Sequence, residues 1–250
     1  TIQEIIKNLN QAHNVSQETK NVASALFQSA ESWGIFATSD EGTKITDLIN
    51  AGKTTILDLS VYSSIGAFNV RGLVIGLVSR KLFIQRINAR KQEEIQSIQH
   101  GIDYMSYNPT RDTPLIWLLI DEAHEFLAKT YKTPATDALV QILREGRQPG
   151  ISLVLATQQP GQIHEDVMTQ SDIVIAHRVT SRPDIEALNN IMQTYLLENI
   201  KTSLDNLPSA KGSAIILDDN SERIYPMRMR PKLSWHGGES PAAVKGQSQI

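Results

Sequence analysis

Apolar and polar positions follow two different periods along this chain, a helical one at the start and a mixture of strand runs and helical stretches afterwards. Residues 1 to about 36 set Ile2, Ile5, Ile6 and Leu9, then Val22, Ala25, Leu26 and Ala30, at three- and four-residue spacing. That spacing predicts two helices, broken and capped near Asn14 and Ser16. A turn over 39–42 and a short helical turn over 46–49 lead to a β-branched apolar run at 54–59, which reads as a buried strand. Residues 70–99 read as one long helix, apolar first (Leu73, Val74, Leu77, Leu82, Phe83) and polar later (Arg86, Arg90, Lys91, Glu93, Glu94). Its second half is therefore expected in solvent or against a partner.

After turn signals at 108–109 and 112–114, residues 115–120 form the most apolar run of the chain and end in Asp121-Glu122. An unbroken run of this kind belongs in the middle of a parallel sheet. A helix over 134–144, a Gly-Arg-Gln-Pro-Gly turn at 146–150, a strand at 151–156, a further turn and helix, and a strand at 173–176 follow. Strand, helix, strand, helix, strand at this spacing predicts an α/β doubly wound sheet. Residues 183–206 read as helical, and 212–217 with 222–227 as a C-terminal hairpin turned at 218–220. The tail from 236 onward, rich in Gly, Ser and Pro, is expected to be disordered.

Composition narrows the classes. With 250 residues, 40% of them hydrophobic and 20% charged, the chain can build a real core, so disorder and miniprotein folds are excluded. Zero cysteines rule out disulfides and thiolate metal sites, and a cytoplasmic setting is the expectation. No run approaches the ~18 apolar residues of a membrane helix, so no membrane partner is expected. The formal net charge of −3 argues against a wholly basic nucleic-acid coat while leaving room for a local basic patch. The first residue is Thr1, not Met, which suggests a piece of a longer protein.

Two adjacent acids at the carboxyl end of a central strand, Asp121 and Glu122, stand where α/β sheets bind ligands. In nucleotide hydrolysis such a pair divides the work. The first acid holds Mg²⁺, and the second orients or deprotonates the water attacking the γ-phosphate. The plainer reading is that the pair caps the next helix, but the six-residue apolar lead-in favours catalysis. A phosphate loop, G-x-x-x-x-G-K-[ST], should then lie upstream. The one pair before it, Gly52-Lys53-Thr54, is rejected: Asp47 occupies the first glycine's position, and a strand follows where a helix should open. The 157–158 Thr-Gln at the end of the next strand offers Gln158 to a γ-phosphate or its water, or simply a strand-end amide in a turn. Arg144 and Arg147 either complement a helix dipole or serve as an arginine finger in a neighbour's site, and both readings stand on sequence.

Taken in order, Leu118-Leu119-Ile120-Asp121-Glu122-Ala123-His124-Glu125-Phe126-Leu127, Arg144-Glu145-Gly146-Arg147, residues 150–160 around Ala156-Thr157-Gln158-Gln159-Pro160, and His177-Arg178-Val179-Thr180 with Pro183-Asp184-Ile185 resemble the C-terminal half of the HerA ATPases. These belong to the HerA and FtsK group of hexameric, RecA-like DNA-translocating motors. The 52–60 stretch resembles that family's strand after its helical insertion. The resemblance implies a partial P-loop NTPase core over 51–235, a helical insertion segment over 1–50, and the Walker B half of an ATP site without the phosphate loop. By the same resemblance Asp121 serves Mg²⁺, Glu122 is the catalytic carboxylate and Gln158 senses the γ-phosphate. Arg144 or Arg147 is the trans finger, with Arg178 a further nucleotide-contacting candidate. ATP and Mg²⁺ as cofactors, double-stranded DNA, a homo-hexamer and a NurA-type nuclease as partners, archaeal DNA repair as the setting, and inactivity of this piece alone follow from it too.

Asp121-Glu122-Ala123-His124 also spells the name motif of another helicase superfamily, but there the arginines follow the Ser-Ala-Thr motif, and here they precede Ala156-Thr157. The scattered histidines lack metal-ligand spacing. The basic stretch 80–91 reads either as a DNA contact or as a solvated helix face, and the adjoining Glu93 and Glu94 favour the solvated face. Two other classes remain as alternatives. One is a non-catalytic, ATPase-derived interaction module, and the other is a membrane-tethered coupling motor.

Overall fold

A computed structural model describes residues 1–39, 42–62, 70–99, 113–191, 202–221 and 223–234. The chain falls into two units, Thr1–Gln170 and Ser171–Ile250. The expected turn at 108–109, the later part of the helix expected to 206 and the tail from 236 lie outside the described residues wholly or in part.

The first unit opens with α1 (Ile2–Gln11) and α2 (Gln17–Glu31). Thr1 and Glu4 form a capping box, and Ser16 Oγ accepts from the Thr19 amide at 3.2 Å. Both satisfy amides that a helix leaves unpaired at its start. A four-residue helix α3 (Ile45–Leu48) follows. The run at 54–59, expected as a strand, pairs with no described strand and is exposed, Ile56 at 85%. β-branched residues favour extended backbone, but a strand exists only where a neighbour takes its hydrogen bonds. No helix opens at Lys53, in keeping with a turn and not a phosphate loop there.

Helix α4 (Val70–Gln99) buries Gly76, Ser79, Phe83 and Arg86 along one stripe, and past Arg86 none of its residues is buried. Gly76 is obligatory in that stripe, since a Cβ there would lie 2.6 Å from the Pro134 carbonyl oxygen. Strands β1 (Ile116–Ile120) and β2 (Ile151–Leu155) pair in parallel, Ile116 opposite Ile151 and Ile120 opposite Leu155, with α5 (Thr136–Glu145) crossing between them. One face of the pair packs Leu118, Ile120, Leu153 and Leu155 against Phe126, Leu127, Leu139, Ile163 and Val167. Opposite, Trp117 is 70% and Leu119 67% exposed. The unbroken apolar run predicted burial on both faces; among the described residues nothing covers this one. A short helix α6 (Glu165–Thr169) closes the unit.

The second unit holds β3 (Ile173–His177), α7 (Arg182–Ile191), β4 (Ser213–Asp218) and β5 (Arg223–Arg228). Here the structure corrects one expectation. The 173–177 strand does not continue the parallel sheet; it pairs antiparallel with β4, which pairs antiparallel with β5. β4 takes the centre with four of its six residues buried, Ala214 and Ile215 completely, and a strand on each edge. The hairpin expected from β4 and β5 is present. Ala176, Leu188, Leu204, Leu207, Ile215 and Leu217 form this unit's core. The α/β class therefore holds, with parallel pairing confined to β1 and β2.

Candidate nucleotide site

Where β1 ends, the Ile120 carbonyl accepts from the Ala156 amide and the Ala156 carbonyl accepts from Ala123, each at 2.9 Å. The two residues skipped between these bonds are Asp121 and Glu122, which bulge from the sheet at its carboxyl end. Glu122 adopts φ 48°, the single non-glycine in the left-handed region among the described residues. Such backbone is sparsely populated for a side-chain-bearing residue and is tolerated where surrounding structure imposes it. Its amide donates to Asp121 Oδ1 at 2.9 Å, which fixes the turn.

β2 delivers the opposing groups, because the parallel register sets Leu155 beside Ile120 and so carries Thr157 and Gln158 to the same end. Gln158 Nε2 donates to Glu122 Oε1. Thr157 Oγ1 lies 3.1 Å from His124 Nδ1 and accepts from the Gln159 amide at 3.0 Å. The other Glu122 oxygen, Oε2, is buried and has no hydrogen-bond partner, with His124 Nδ1 at 3.5 Å too far and too occupied to fill the role. A desolvated carboxylate oxygen without a donor is costly to hold. Asp121 is exposed beside it.

Of the residues singled out in the sequence, Asp121, Glu122 and Gln158 are brought together. Arg144 and Arg147 are not part of this cluster. Arg144 forms an ion pair with Asp166 at 2.8 Å, which engages its guanidinium within its own chain. Arg147 is exposed on the turn after α5 and has no ion pair to a described residue. Arg178 is exposed in the second unit. His124 and Thr157 went unread as site residues. Their contact depends on the strand register, and the one signal for it was their adjacency to the acidic and amide pairs.

Mg²⁺ demands few protein oxygens, since phosphates and waters supply most of its shell. The donors here fit that habit: one exposed carboxylate at Asp121, and among the described residues no cluster of three or more acids or histidines that would cage a metal unaided.

An α/β core with paired acids at the end of its parallel strands resembles the acidic half of the HerA/FtsK-type ATPases. The chain belongs to the zonular occludens toxin (Zot) family, whose model matches residues 53–182, about half of the chain. A probable DNA double-strand break repair helicase HerA of Methanocaldococcus jannaschii is 27% identical over 157 residues, 56% of this chain and 31% of that one. The DNA double-strand break repair helicase HerA of Pyrococcus furiosus is 26% identical over 175 residues, 65% of this chain and 30% of that one. The chain thus spans about a third of the length of these relatives. Among solved structures, the genome packaging NTPase B204 of Sulfolobus turreted icosahedral virus 2 matches in its AMP complex with TM-score 0.37 and 26% identity, over 47% of this chain and 53% of that one. In its ATP-gammaS complex it matches with TM-score 0.43 and 18% identity, over 77% and 73%.

Proposed function

We propose that this chain supplies the acidic, Walker B half of the nucleotide site in an ATP-driven double-stranded DNA translocase that works as a homo-hexamer in DNA end processing. One observation carries the reading. Glu122 is held in left-handed backbone at the end of β1 with one oxygen tied to Gln158 and the other buried and unbonded. The free oxygen would orient the attacking water and take its proton as the γ-phosphate leaves. Asp121 would hold Mg²⁺, which neutralises charge building on the phosphates when it is bound with ATP. Gln158 now donates to Glu122; turning that amide to the γ-phosphate would link nucleotide state to the catalytic carboxylate. Of the arginines, Arg147 suits a finger reaching a neighbouring subunit's site, because Arg144 is already paired with Asp166. A repair role accords with the names of the two HerA relatives, and a NurA-type nuclease partner follows from the family resemblance alone.

The 250 residues contain no G-x-x-x-x-G-K-[ST] loop, which favours a second reading, a non-catalytic assembly module derived from such an ATPase. One experiment separates them. The full coding sequence is expressed, and duplex-DNA-stimulated ATP hydrolysis and native mass are measured for wild type and Glu122→Gln. The motor reading requires a hexamer in which Glu122→Gln binds ATP without turnover. Hydrolysis unaffected by the substitution, or an inert wild type, overturns it.

A further inference from the structure

Arg86 is the largest completely buried side chain in the described structure, and nothing in the acidic cluster explains it. Its Nε donates to the Pro149 carbonyl at 2.7 Å, and its Nη1 donates to the Thr113 carbonyl at 2.7 Å and to Glu93 Oε1 at 3.1 Å. One guanidinium therefore ties α4 to the segments entering β1 and β2 at once. A buried ion pair is a poor way to gain stability, because packed apolar residues serve as well or better. Its advantage is geometric, since a planar fork with fixed donors holds its acceptors in one arrangement.

The turn it holds is tightly built throughout. Gly146 donates to Ile142 O and its carbonyl accepts from the Gly150 and Ile151 amides at 3.0 and 2.8 Å. A Cβ on Gly146 would lie 2.8 Å from Ile151 O, and Gly150 has φ +81°. Arg147 projects from this closed turn, exposed and without an ion pair to a described residue, two residues before the carbonyl that Arg86 grips. A rigid turn presenting a cation that pairs with no described residue suits an intermolecular contact, because ordering a long side chain's base beforehand lowers the entropy lost on docking.

We infer that Arg86 is a positioning residue that fixes the 146–150 turn so that Arg147 is presented to the nucleotide site of the adjacent subunit. The inference rests on the proposed trans role of Arg147, and the test distinguishes the two. Full-length Arg86→Gln, Arg147→Ala and Glu122→Gln proteins are assayed for ATP hydrolysis alone and in equal mixtures under subunit exchange. Arg86→Gln should lose at least about tenfold in kcat with KM for ATP within about twofold, and Arg86→Lys should recover part of the loss. Mixing Arg86→Gln with Glu122→Gln should restore about a quarter of wild-type turnover. Half the sites then keep Glu122, and half of those face a neighbour with an intact turn in a head-to-tail ring. Arg147→Ala with Glu122→Gln should do the same. If that control recovers and the Arg86→Gln mixture does not, Arg86 acts within its own subunit and this inference falls while the motor reading stands. If the control fails as well, the trans role of Arg147 falls and takes the inference with it. Should Arg86→Gln not fold, Glu93→Gln removes one partner of the same guanidinium, and its kcat loss must be complemented by Glu122→Gln in the same way.

Discussion

The two ends of the β1–β2 pair are built on opposite rules. At the amino end a buried guanidinium spends its donors on two carbonyls and a carboxylate. The left-handed backbone there falls on Gly150, where it carries no side-chain strain. At the carboxyl end the left-handed position is a glutamate, and one of its oxygens is buried without a donor. The same strands thus join an end closed by three guanidinium hydrogen bonds to one that holds left-handed backbone at a glutamate. The comparison teaches that the first holds geometry and the second holds chemistry.

The contrast can be broken most directly at Glu122. Substitution to Gln in the full-length protein should lower kcat by about 10² or more while leaving ATP binding intact, read by steady-state hydrolysis beside nucleotide binding. At the opposite end, Arg86→Met should destabilise this chain by about 1–3 kcal/mol in urea unfolding, because the Pro149 and Thr113 carbonyls lose their donor while Glu93 keeps Arg90. Arg86→Met combined with Glu93→Leu should recover only a small part of that loss, since both carbonyls stay without a donor. A further effect, of opposite sign at the two ends, sharpens the comparison. Gly150→Ala should cost about 1–3 kcal/mol, since φ +81° suits no alanine and its Cβ would meet Leu115. Glu122→Gly should instead stabilise by up to about 1 kcal/mol, read in the same denaturation series. The smallest effect is expected in the second unit, in the β4–β5 turn. The Ser221 hydroxyl donates to Asp218 at 2.7 Å and, with the Asn220 and Ser221 amides, holds that carboxyl below its ordinary value of 3.8. A depressed carboxyl adds stability above its ordinary value and gives it up as pH falls through the folded one. Ser221→Ala should therefore lower stability slightly at neutral pH and leave it nearly unchanged below the folded value, read as a flatter loss of stability on acidification.

Much of this site was legible in the sequence because it depends on local order. Apolar runs ending in Asp121-Glu122 and Thr157-Gln158 fix two strands and the groups at their ends, and the 134–150 helix and turn between them make the pairing parallel. What escaped depends on partners. The 54–59 run has the residues of a strand and lacks a described neighbour, while 173–177 has them and finds β4 in place of β2. Arg86 looked like the start of a solvated face, since helical periodicity ranks arginine as polar and carries no information about three acceptors waiting 7, 27 and 63 residues away. His124 and Thr157 meet only through register.

The open side of β1 has a practical consequence for anyone handling these 250 residues by themselves. Trp117 and Leu119 lie bare on a strand whose second edge has no described partner, which is the arrangement that invites sheets to stack and extend between molecules. Solubility of the isolated stretch should fall steeply with concentration, and collisional quenchers should reach the indole of Trp117 freely. In any assembly that this chain enters, the degree to which that indole becomes shielded offers a direct optical gauge of how this face is covered.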